Sequence, residues 1–385
     1  MSCYTILHTE ASTGWGGQEI RILTESVGMI ERGHRVLLVC QPRSVISKKA
    51  SEQGIETIVM PLRGAFDVKG IRRLRALYRD QKVDIVNTHS SKDSWCAGLA
   101  AKLSSGVKVI RTRHLSIPIK RSFDSRLLYC TLPDAVVTTG EAIRKQVIKV
   151  GVNPENVVSI PTGIDLKVFD PNKANGAVFR EDIRVSSDLP LIGTVGMLRV
   201  MKGHSYLLNA AAEVIREFPK ARFVIVGDTA FESNIKEHLA QQVEELGIAD
   251  SIIMPGYREG IPNVMAALDV FVLASIRSEG VPQVITQAMA MKRPVVGTNV
   301  GSIYEQIIDK ETGFLIEKAN SAQIRDSILA LLRNPVMARD MGEKGRKLVE
   351  ERFSLETMLD KTEALYARIM KGQSGVPRCA NSASL

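Results

Sequence analysis

Two basic residues and one acidic residue in the second half of the chain have the chemistry to hold a sugar linked to a diphosphate. Arg199 and Lys202 lie directly after a predicted strand, and Glu279 lies directly before a predicted helix. Arginine binds phosphate oxygens bidentately and lysine acts as a point charge, while a carboxylate accepts hydrogen bonds from hydroxyl groups. The spacing therefore predicts a diphosphate site with a sugar pocket beside it. Surface cations are common, so ordinary solvent-facing charge remains the alternative for the basic pair.

The residues after Glu279 predict a helix whose first amides face an anion. A proline suits the first helical turn, a glycine permits close approach, and helix N-termini attract anions. Gln287 lies about two turns into this helix, where it is placed to reach a ribose hydroxyl pair. The donor-binding residues that we predict in this segment are Gly280, Val281, Pro282, Gln283, Val284 and Gln287.

A glycine-rich segment lies between the first predicted strand and the first predicted helix. Its adjacent residues Gly16 and Gly17 let the backbone approach a ligand closely, at a helix N-terminus that favours an anion. The spacing is not G-x-G-x-x-G, which disfavours a dinucleotide site. A plain tight turn is the alternative.

Two histidines lie at the ends of predicted strands, on the side where parallel sheets form ligand crevices. They are His89 and His114, and Arg111 and Arg113 precede the second of them. We predict a catalytic role for His114 and acceptor binding by His89, Arg111 and Arg113. A lone histidine is often purely structural, so that interpretation also stays open.

Several motifs of other enzyme classes are absent from the sequence. It contains no D-x-D, no G-x-x-x-x-G-K-[ST], no G-x-S-x-G and no His/Cys cluster with metal-ligand spacing. We therefore expect no cofactor and no metal ion. A leaving diphosphate would then be stabilised by Arg199, Lys202 and helix N-termini.

The elements that must position these residues are strands that alternate with helices along the whole chain. Such alternation predicts parallel sheets covered by helices on both faces, and 385 residues exceed what one core usually serves. We predict an α/β protein with two Rossmann-like, doubly wound parallel-sheet domains that face each other across a cleft. The predicted strands are 4–8, 35–40, 55–60, 83–87, 107–111, 135–138, 157–160, 191–195, 222–226, 252–254, 270–273, 294–298 and 314–316.

The predicted domain boundaries follow changes in composition. Residues 1–170 form an N-terminal domain, and 190–353 form a C-terminal domain. Residues 171–189 are rich in Pro, Asn, Asp and Ser and lack apolar periodicity, which is typical of a linker. We predict a helix in 354–371 and a disordered tail in 372–385, where the composition is small and polar.

The net charge of +9 is confined to the first half of the chain. Residues 1–170 hold 25 Lys and Arg against 16 Asp and Glu, whereas the remaining residues hold 26 of each. This asymmetry favours an anionic partner, namely a phosphorylated acceptor, an anionic membrane surface or nucleic acid, with solubility as the alternative. A helix rich in arginine near 71–80 either lies on a membrane or packs on the sheet.

The compartment is predicted from cysteines and hydropathy. The five cysteines include no C-x-x-C pair, which indicates a reducing environment, and no run of about 18 apolar residues occurs. The first residues lack the pattern of a signal peptide. We therefore expect a cytoplasmic protein, with peripheral contact at the inner face of the membrane left open.

Taken together and in order, these motifs resemble the family 4 retaining glycosyltransferases of the GT-B fold. The resemblance covers residues 4–370 and is carried by Gly16-Gly17-x-Glu19, His114, Pro161-x-Gly163-Ile164-Asp165, Gly196-x-x-Arg199-x-x-Lys202-Gly203 and Glu279-x7-Gln287. It implies metal-independent transfer of a hexose, with retention, from a nucleotide diphosphate (usually uridine diphosphate) to a glycan, phosphorylated or lipid-linked acceptor. It also implies that the N-terminal domain 1–170 binds the acceptor, that the C-terminal domain 190–353 binds the nucleotide sugar, and that the last helix packs back on the N-terminal domain.

The resemblance implies a role for each matched residue. Arg199 and Lys202 bind the diphosphate, Glu279 holds hydroxyls of the donor sugar, and His114 lies beside the reacting centre. Gly16 and Gly17 approach the donor, and the base is lined by Tyr257 and Arg258. No carboxylate is placed as a covalent nucleophile, which favours displacement on one face of the sugar, assisted by the leaving phosphate.

Two departures from the family pattern stand out. Gln287 replaces the second glutamate of the E-x7-E motif, and Asn87 stands where many members have a histidine. Weaker ribose binding is expected, because an amide cannot accept from both hydroxyls as a carboxylate does. The alternatives are a nucleotide-sugar epimerase on the same fold and a non-catalytic nucleotide-sugar-binding protein. The 5% aromatic content disfavours nucleic acid as the partner.

Overall fold

The protein, seen in a computed structural model that describes residues 3–229, 234–277 and 279–372, consists of two compact units. The N-terminal unit contains the chain up to Gly163 and again from Met358 onward, and the C-terminal unit contains Ile164–Thr357. Each unit has a single sheet in which every strand pair is parallel. Both units therefore have the α/β architecture that the strand–helix alternation predicts.

The N-terminal unit has a seven-stranded sheet in the order β3-β2-β1-β4-β5-β6-β7. The strand order reverses between β1 and β4, and ligands bind at such reversals in doubly wound sheets. The strands are β1 (Thr5–Glu10), β2 (Arg35–Cys40), β3 (Glu56–Val59), β4 (Ile85–Thr88), β5 (Lys108–Arg113), β6 (Ala135–Thr138) and β7 (Val157–Ser159). The helices are α1 (Gly17–Glu31), α2 (Val45–Glu52), α3 (Val68–Asp80), α4 (Ser91–Lys102), α5 (Phe123–Arg126) and α6 (Glu141–Lys149).

The apolar runs of these strands are covered on both faces, as expected for a parallel sheet. In β2, Leu37 and Val39 join one core cluster, while Leu38 and Cys40 join the cluster on the opposite face. The end of β1 departs from this pattern, since its last three residues are polar and yet fully buried. Buried polar groups at the carboxyl end of a central strand call for specific partners.

The C-terminal unit has a six-stranded sheet in the order β10-β9-β8-β11-β12-β13, with its reversal between β8 and β11. The strands are β8 (Leu191–Val195), β9 (Arg222–Val226), β10 (Ile252–Gly256), β11 (Val270–Leu273), β12 (Val295–Thr298) and β13 (Gly313–Ile316). The helices are α7 (Gly176–Asp182), α8 (His204–Glu217), α9 (Ile235–Glu245), α10 (Ile261–Ala267), α11 (Gln283–Ala290), α12 (Ser321–Arg333) and α13 (Pro335–Arg352).

Each of the thirteen predicted strands has a counterpart in the described residues, with ends that differ by at most two residues. The predicted linker 171–189 needs a correction, because it contains α7 and belongs to the C-terminal unit. Phe179 of α7 is 5% exposed in the core, and the buried Arg180 binds Asp269 at 2.9 Å. One apolar anchor on a seven-residue helix is too little to create a periodic pattern. The predicted tail lies, from residue 373, outside the described residues.

The last helix, α14 (Leu355–Met370), groups with the N-terminal unit from Met358 onward. Leu359 packs against Gly28 of α1, where a Cβ would collide with the leucine side chain. Arg32 of α1 contacts Asp360 at 2.8 Å and Glu363 at 3.0 Å. A close apolar contact and two ion pairs therefore attach α14 to α1.

Helix α3 packs on the sheet through its apolar face, because Leu74 and Tyr78 are 0% and 2% exposed in the core. The apolar face of the arginine-rich helix is therefore used for packing on the sheet, and membrane contact through its other face stays a prediction. Its cations remain exposed, and they are Lys69, Arg72, Arg73, Arg75 and Arg79. In the described ranges no helix combines the length and the apolar character needed to cross a bilayer.

Candidate active site

The predicted diphosphate and sugar residues meet at the strand-order reversal of the C-terminal sheet. Lys202 follows β8 and Glu279 follows β11, and Lys202 Nζ lies 2.7 Å from Glu279 Oε1. Ser275 Oγ donates to the same carboxylate oxygen at 2.7 Å. The side chains of Lys202 and Glu279 are 20% and 13% exposed, so the pair is open enough to meet a ligand. The structure thus joins a cation and a carboxylate from segments 77 residues apart.

Two glycines allow these loops to pack together. Gly203 has φ 67° and lies against the carbonyl of Ala274, while Gly301 has φ 61° and lies against the backbone of Glu279. A side chain at either position would be strained and would clash with backbone atoms. A backbone hydrogen bond of 2.9 Å from Ile276 N to Met201 O connects the two loops directly. The loop geometry therefore fixes where the Lys202–Glu279 pair lies.

Helix α11 begins at Gln283, with Pro282 as its N-cap. Gln306 Nε2 donates to the carbonyl of Pro282 at 3.0 Å and so anchors the start of this helix. Gln287 lies one turn into α11 and is half-buried. Gly280 and Val284 are also half-buried, whereas Val281 belongs to the core at 8% exposure. Helix α11 thus begins soon after Glu279 in the chain, and anion binding by its first amides stays a prediction.

The two residues predicted to line the base, Tyr257 and Arg258, differ in exposure and in their contacts. Tyr257 follows β10 and is 65% exposed. Arg258 Nε lies 2.9 Å from Asp182 Oδ2 in α7, and its guanidinium also donates to the carbonyl of Pro255. In this structure Arg258 ties β10 to α7, and its contact with a base stays a prediction.

Arg199, which we predict to bind the diphosphate, is the N-cap of the short 3₁₀ turn that ends at Lys202.

The glycine loop of the N-terminal unit is held by a buried acid that the sequence interpretation missed. Glu10, at the end of β1, accepts hydrogen bonds from Ser12 N at 2.7 Å and from Gln18 Nε2 at 2.5 Å. Burial, together with the nearby Asp93 carboxylate, raises the pKa of Glu10 to about 7. Gly16 is the N-cap of α1 in extended conformation, and Gly17 is its first residue. The loop is therefore folded back onto the strand end.

The two predicted histidines are joined by a third. His89 Nδ1 lies 3.0 Å from His114 Nε2, and its Nε2 lies 2.9 Å from Nδ1 of His8 in β1. Asp93 in the first turn of α4 accepts from His89 N and from Thr9 Oγ1, which positions the loop that carries His89. Burial, and then neighbouring positive groups, hold the pKa of His89 and of His114 well below the usual range. His8 escaped the sequence analysis because it lies within an apolar strand.

The arginines assigned to the acceptor belong mainly to the scaffold. Arg111 is 2% exposed and donates to Ser90 O, to Ser94 Oγ and, at 3.1 Å, to Tyr129 Oη. Arg113 donates to the same hydroxyl at 2.8 Å, and both guanidiniums lie over the Tyr129 ring. The acceptor assignment of Arg111 is therefore corrected, because the residue is buried and both of its terminal nitrogens donate inside the fold. Arg113 is half-buried and keeps part of its surface open.

A buried polar network lies behind the histidines. Glu25 of α1 accepts from Asn87 Nδ2 at 3.3 Å and from Tyr366 Oη at 3.1 Å, and Arg21 Nε lies 3.4 Å from its other oxygen. Asn87 in turn accepts from Thr112 Oγ1 at 2.7 Å. The asparagine that departs from the family pattern is thus a structural link between β4, β5 and α1.

Comparison with known proteins assigns both units to the same group of enzymes. Residues 15–168 match the family model Glycosyltransferase Family 4, and residues 177–348 match the model Glycosyl transferases group 1. The UDP-Gal:alpha-D-GlcNAc-diphosphoundecaprenol alpha-1,3-galactosyltransferase of Escherichia coli is 27% identical, over 78% of this chain and 79% of its own length.

Solved structures share the fold of both units. A glycosyltransferase from Rickettsia africae ESF-5 has a TM-score of 0.89 at 22% identity and covers 96% of this chain and 100% of its own. Anabaena Alr3699/HepE in complex with UDP has a TM-score of 0.85 at 19% identity and covers 94% of this chain and 99% of its own. The family models, the relative and the shared fold agree with the donor motifs found in the C-terminal unit. This chain belongs to the group 1 and family 4 glycosyltransferases and is a glycosyltransferase with the GT-B fold.

Proposed function

We propose that this enzyme transfers a hexose, with retention of configuration, from a uridine diphosphate sugar to a lipid-linked or glycan acceptor. The observation that carries the proposal is the Lys202–Glu279 pair at the strand-order reversal of the C-terminal sheet, 2.7 Å apart and partly exposed. It joins a phosphate-binding cation to a hydroxyl-binding carboxylate. A sugar diphosphate needs both chemistries side by side.

In the proposed reaction, Lys202 and Arg199 stabilise the charge that develops on the leaving diphosphate, and the first amides of α11 add their N–H dipoles. Glu279 accepts hydrogen bonds from the donor sugar, and Gln287 accepts one from the ribose. The acceptor oxygen attacks the anomeric carbon on the face that the phosphate leaves. The new C–O bond forms as the old one breaks, and the hydroxyl proton passes to the departing phosphate oxygen. No metal ion or cofactor takes part in the proposed step.

Uridine diphosphate is supported by the relatives, since the Escherichia coli enzyme is named for UDP-Gal and the Anabaena structure contains UDP. The same Escherichia coli enzyme acts on a sugar carried by diphosphoundecaprenol. The N-terminal half of this chain holds the whole net charge of +9, which suits a phosphorylated or lipid-linked acceptor.

We further propose that the exposed cations of α3 bring the enzyme to an anionic membrane surface from the cytoplasmic side. Electrostatic attraction of this kind is worth about 1 kcal/mol per cation near the surface and is screened by salt. Co-sedimentation with vesicles tests it: binding to phosphatidylserine vesicles that weakens with salt supports the proposal. Equal binding to phosphatidylcholine vesicles, or none to either, contradicts it.

The donor is tested by thermal unfolding with a panel of UDP-, GDP- and ADP-sugars, with and without EDTA. A ligand that binds the native state raises the melting temperature. A shift with UDP-sugars alone, unchanged by EDTA and lost in Lys202→Ala, supports the proposed site. A shift with another nucleotide, or one that requires a metal ion, refutes this part of the proposal.

The stereochemical course is tested on the product. NMR of the transferred sugar should show the anomeric configuration of the donor, and mass spectrometry should detect no glycosyl-enzyme adduct during turnover. An inverted product would refute retention. A trapped adduct would refute displacement on one face and would require a nucleophilic carboxylate.

A further inference from the structure

Three imidazole rings form a continuous hydrogen-bonded chain in the N-terminal unit, which we call the histidine chain. It runs from His8 through His89 to His114, with nitrogen–nitrogen distances of 2.9 Å and 3.0 Å. His8 and His89 are 0% and 4% exposed, whereas His114 is half-buried. The histidine chain therefore leads from the interior of the unit to the side chain proposed to act at the reacting sugar.

Counting hydrogens limits the histidine chain to two neutral arrangements. A neutral imidazole has one N–H and one bare nitrogen, so His89 must donate to one neighbour and accept from the other. In the outward arrangement, His8 Nδ1–H donates to His89, His89 Nδ1–H donates to His114 Nε2, and His114 carries its hydrogen on Nδ1. In the inward arrangement every hydrogen bond is reversed, and Nδ1 of His114 is bare.

The surroundings keep the histidine chain neutral. Burial lowers the pKa of all three rings, and for His89 and His114 the other histidines and nearby arginines add to this effect. The charged groups that act on the rings are Arg21 and Glu25 from α1, and Arg111 and Arg113 from β5. An extra proton on this chain is therefore disfavoured, and the choice is between the two neutral arrangements.

The inner end of the histidine chain decides between them. Within the described residues, His8 Nε2 is buried without a hydrogen-bond partner, and so is Nη2 of Arg21. A hydrogen on His8 Nε2 would be an orphaned donor, which is rarer in folded proteins than an orphaned acceptor. The positive charge of Arg21 also favours a bare nitrogen. Glu25 favours the opposite, but Asn87 and Tyr366 already donate to one of its carboxylate oxygens, and Arg21 Nε lies 3.4 Å from the other.

We propose that His8 and His89 are positioning residues that hold His114 in the Nδ1–H tautomer, so that His114 offers the substrate a hydrogen-bond donor and not a base. The consequence for catalysis rests on the proposed function, whereas the tautomer itself rests on the hydrogen-bond geometry. A donor at this place can bind a sugar oxygen but cannot take the acceptor proton. That proton is left to the departing phosphate.

The tautomer is measured directly by long-range ¹H–¹⁵N spectra of the protein labelled with ¹⁵N-histidine, which distinguish protonated from bare ring nitrogens. Single substitutions assign the signals. We expect His114 to have a protonated Nδ1 and a bare Nε2 at pH 7. A bare Nδ1, an even mixture of tautomers or an imidazolium would overturn the proposal. This experiment needs no substrate, so it decides the tautomer even if the proposed transferase activity is not found.

The positioning role is tested with His8→Leu, which removes the donor at the start of the chain. For histidines that bind metal ions, loss of the partner that orients the ring costs about ten- to a hundredfold in activity, and we take this as the scale for His114. We expect a loss of this size in kcat with little change in the donor KM, together with a weaker His114 Nδ1–H signal. His8→Asn, whose amide can donate from the same place, should restore both.

The matched control is His34→Gln, at a buried histidine of the same unit that contacts Tyr4 and Glu363 and not the histidine chain. It should change the melting temperature without changing the His114 spectrum, kcat or the donor KM. The positioning role would be overturned if folded His8→Leu kept the wild-type His114 spectrum and rate. It would also be overturned if His8→Leu and the control had equal effects.

Discussion

The Lys202–Glu279 ion pair is expected to contribute measurably to folding as well as to catalysis. At 2.7 Å, with the effective dielectric constant of about 20 that suits partly buried pairs, the gross attraction is about 6 kcal/mol. Desolvation of both groups offsets most of it. Because the two side chains remain 20% and 13% exposed, we expect a net coupling of about 2 kcal/mol.

A double-mutant cycle with Lys202→Met and Glu279→Gln measures this coupling by urea unfolding. The two single variants should together lose more stability than the double variant, by about 2 kcal/mol. The exposed pair Lys292–Glu343, at 2.9 Å and with side chains 40% and 53% exposed, is the control and should couple much more weakly. A coupling below about 0.5 kcal/mol at the first pair would show that the two groups are independent in solution and would refute the reasoning.

The same variants report on catalysis. Removing one donor that stabilises a developing negative charge typically lowers kcat by about a hundred- to a thousandfold. Lys202→Met should therefore lose turnover by this factor, far beyond its effect on stability. If kcat is unchanged in a folded Lys202→Met variant, this lysine does not stabilise the leaving diphosphate.

Three further predictions concern stability. The folded pKa of Glu10, about 7, lies above the usual value of 4.5, so its contribution to stability is complete below pH 4.5 and is lost as the pH rises through 7. Relative to wild type, Glu10→Gln should therefore gain about 3 kcal/mol of unfolding free energy between pH 4.5 and 8 in urea unfolding, and a difference that does not change with pH would refute the raised pKa. Gly301→Ala should lose roughly 1–3 kcal/mol more than the control Gly247→Ala, because both glycines have positive φ but only the first has backbone atoms against its Cβ position. Equal losses in thermal unfolding would contradict this packing argument. Arg180→Met should lower the free energy of unfolding by about 3–5 kcal/mol, since Arg180 is 9% exposed and binds three carbonyls and a carboxylate. The control Arg333→Met, at an exposed arginine, should lower it far less. Similar losses would show that the buried hydrogen bonds of Arg180 add nothing to stability.

The histidine chain illustrates what local patterns miss. His8 lies in an apolar run and is separated from His89 by 81 residues, yet parallel pairing places it opposite Asn87 in β4. The sequence alone gives no indication that these two histidines are in contact. Arg111 shows the converse error, since a cation near a histidine that we predict to be catalytic suggested a ligand contact, and burial against Tyr129 decided otherwise.

The sequence by itself determined the strands and the parallel α/β class, and it singled out the candidate donor residues, because hydrophobic periodicity, turn residues and helix-start signals are encoded within a few neighbouring positions. The tertiary structure alone decided that Lys202 and Glu279 form a pair, that α7 belongs to the C-terminal unit, and that three histidines share hydrogen bonds. Each of these facts depends on strand order and burial, which bring distant segments together and remove side chains from water. A local sequence pattern contains neither the strand order nor the burial of a side chain.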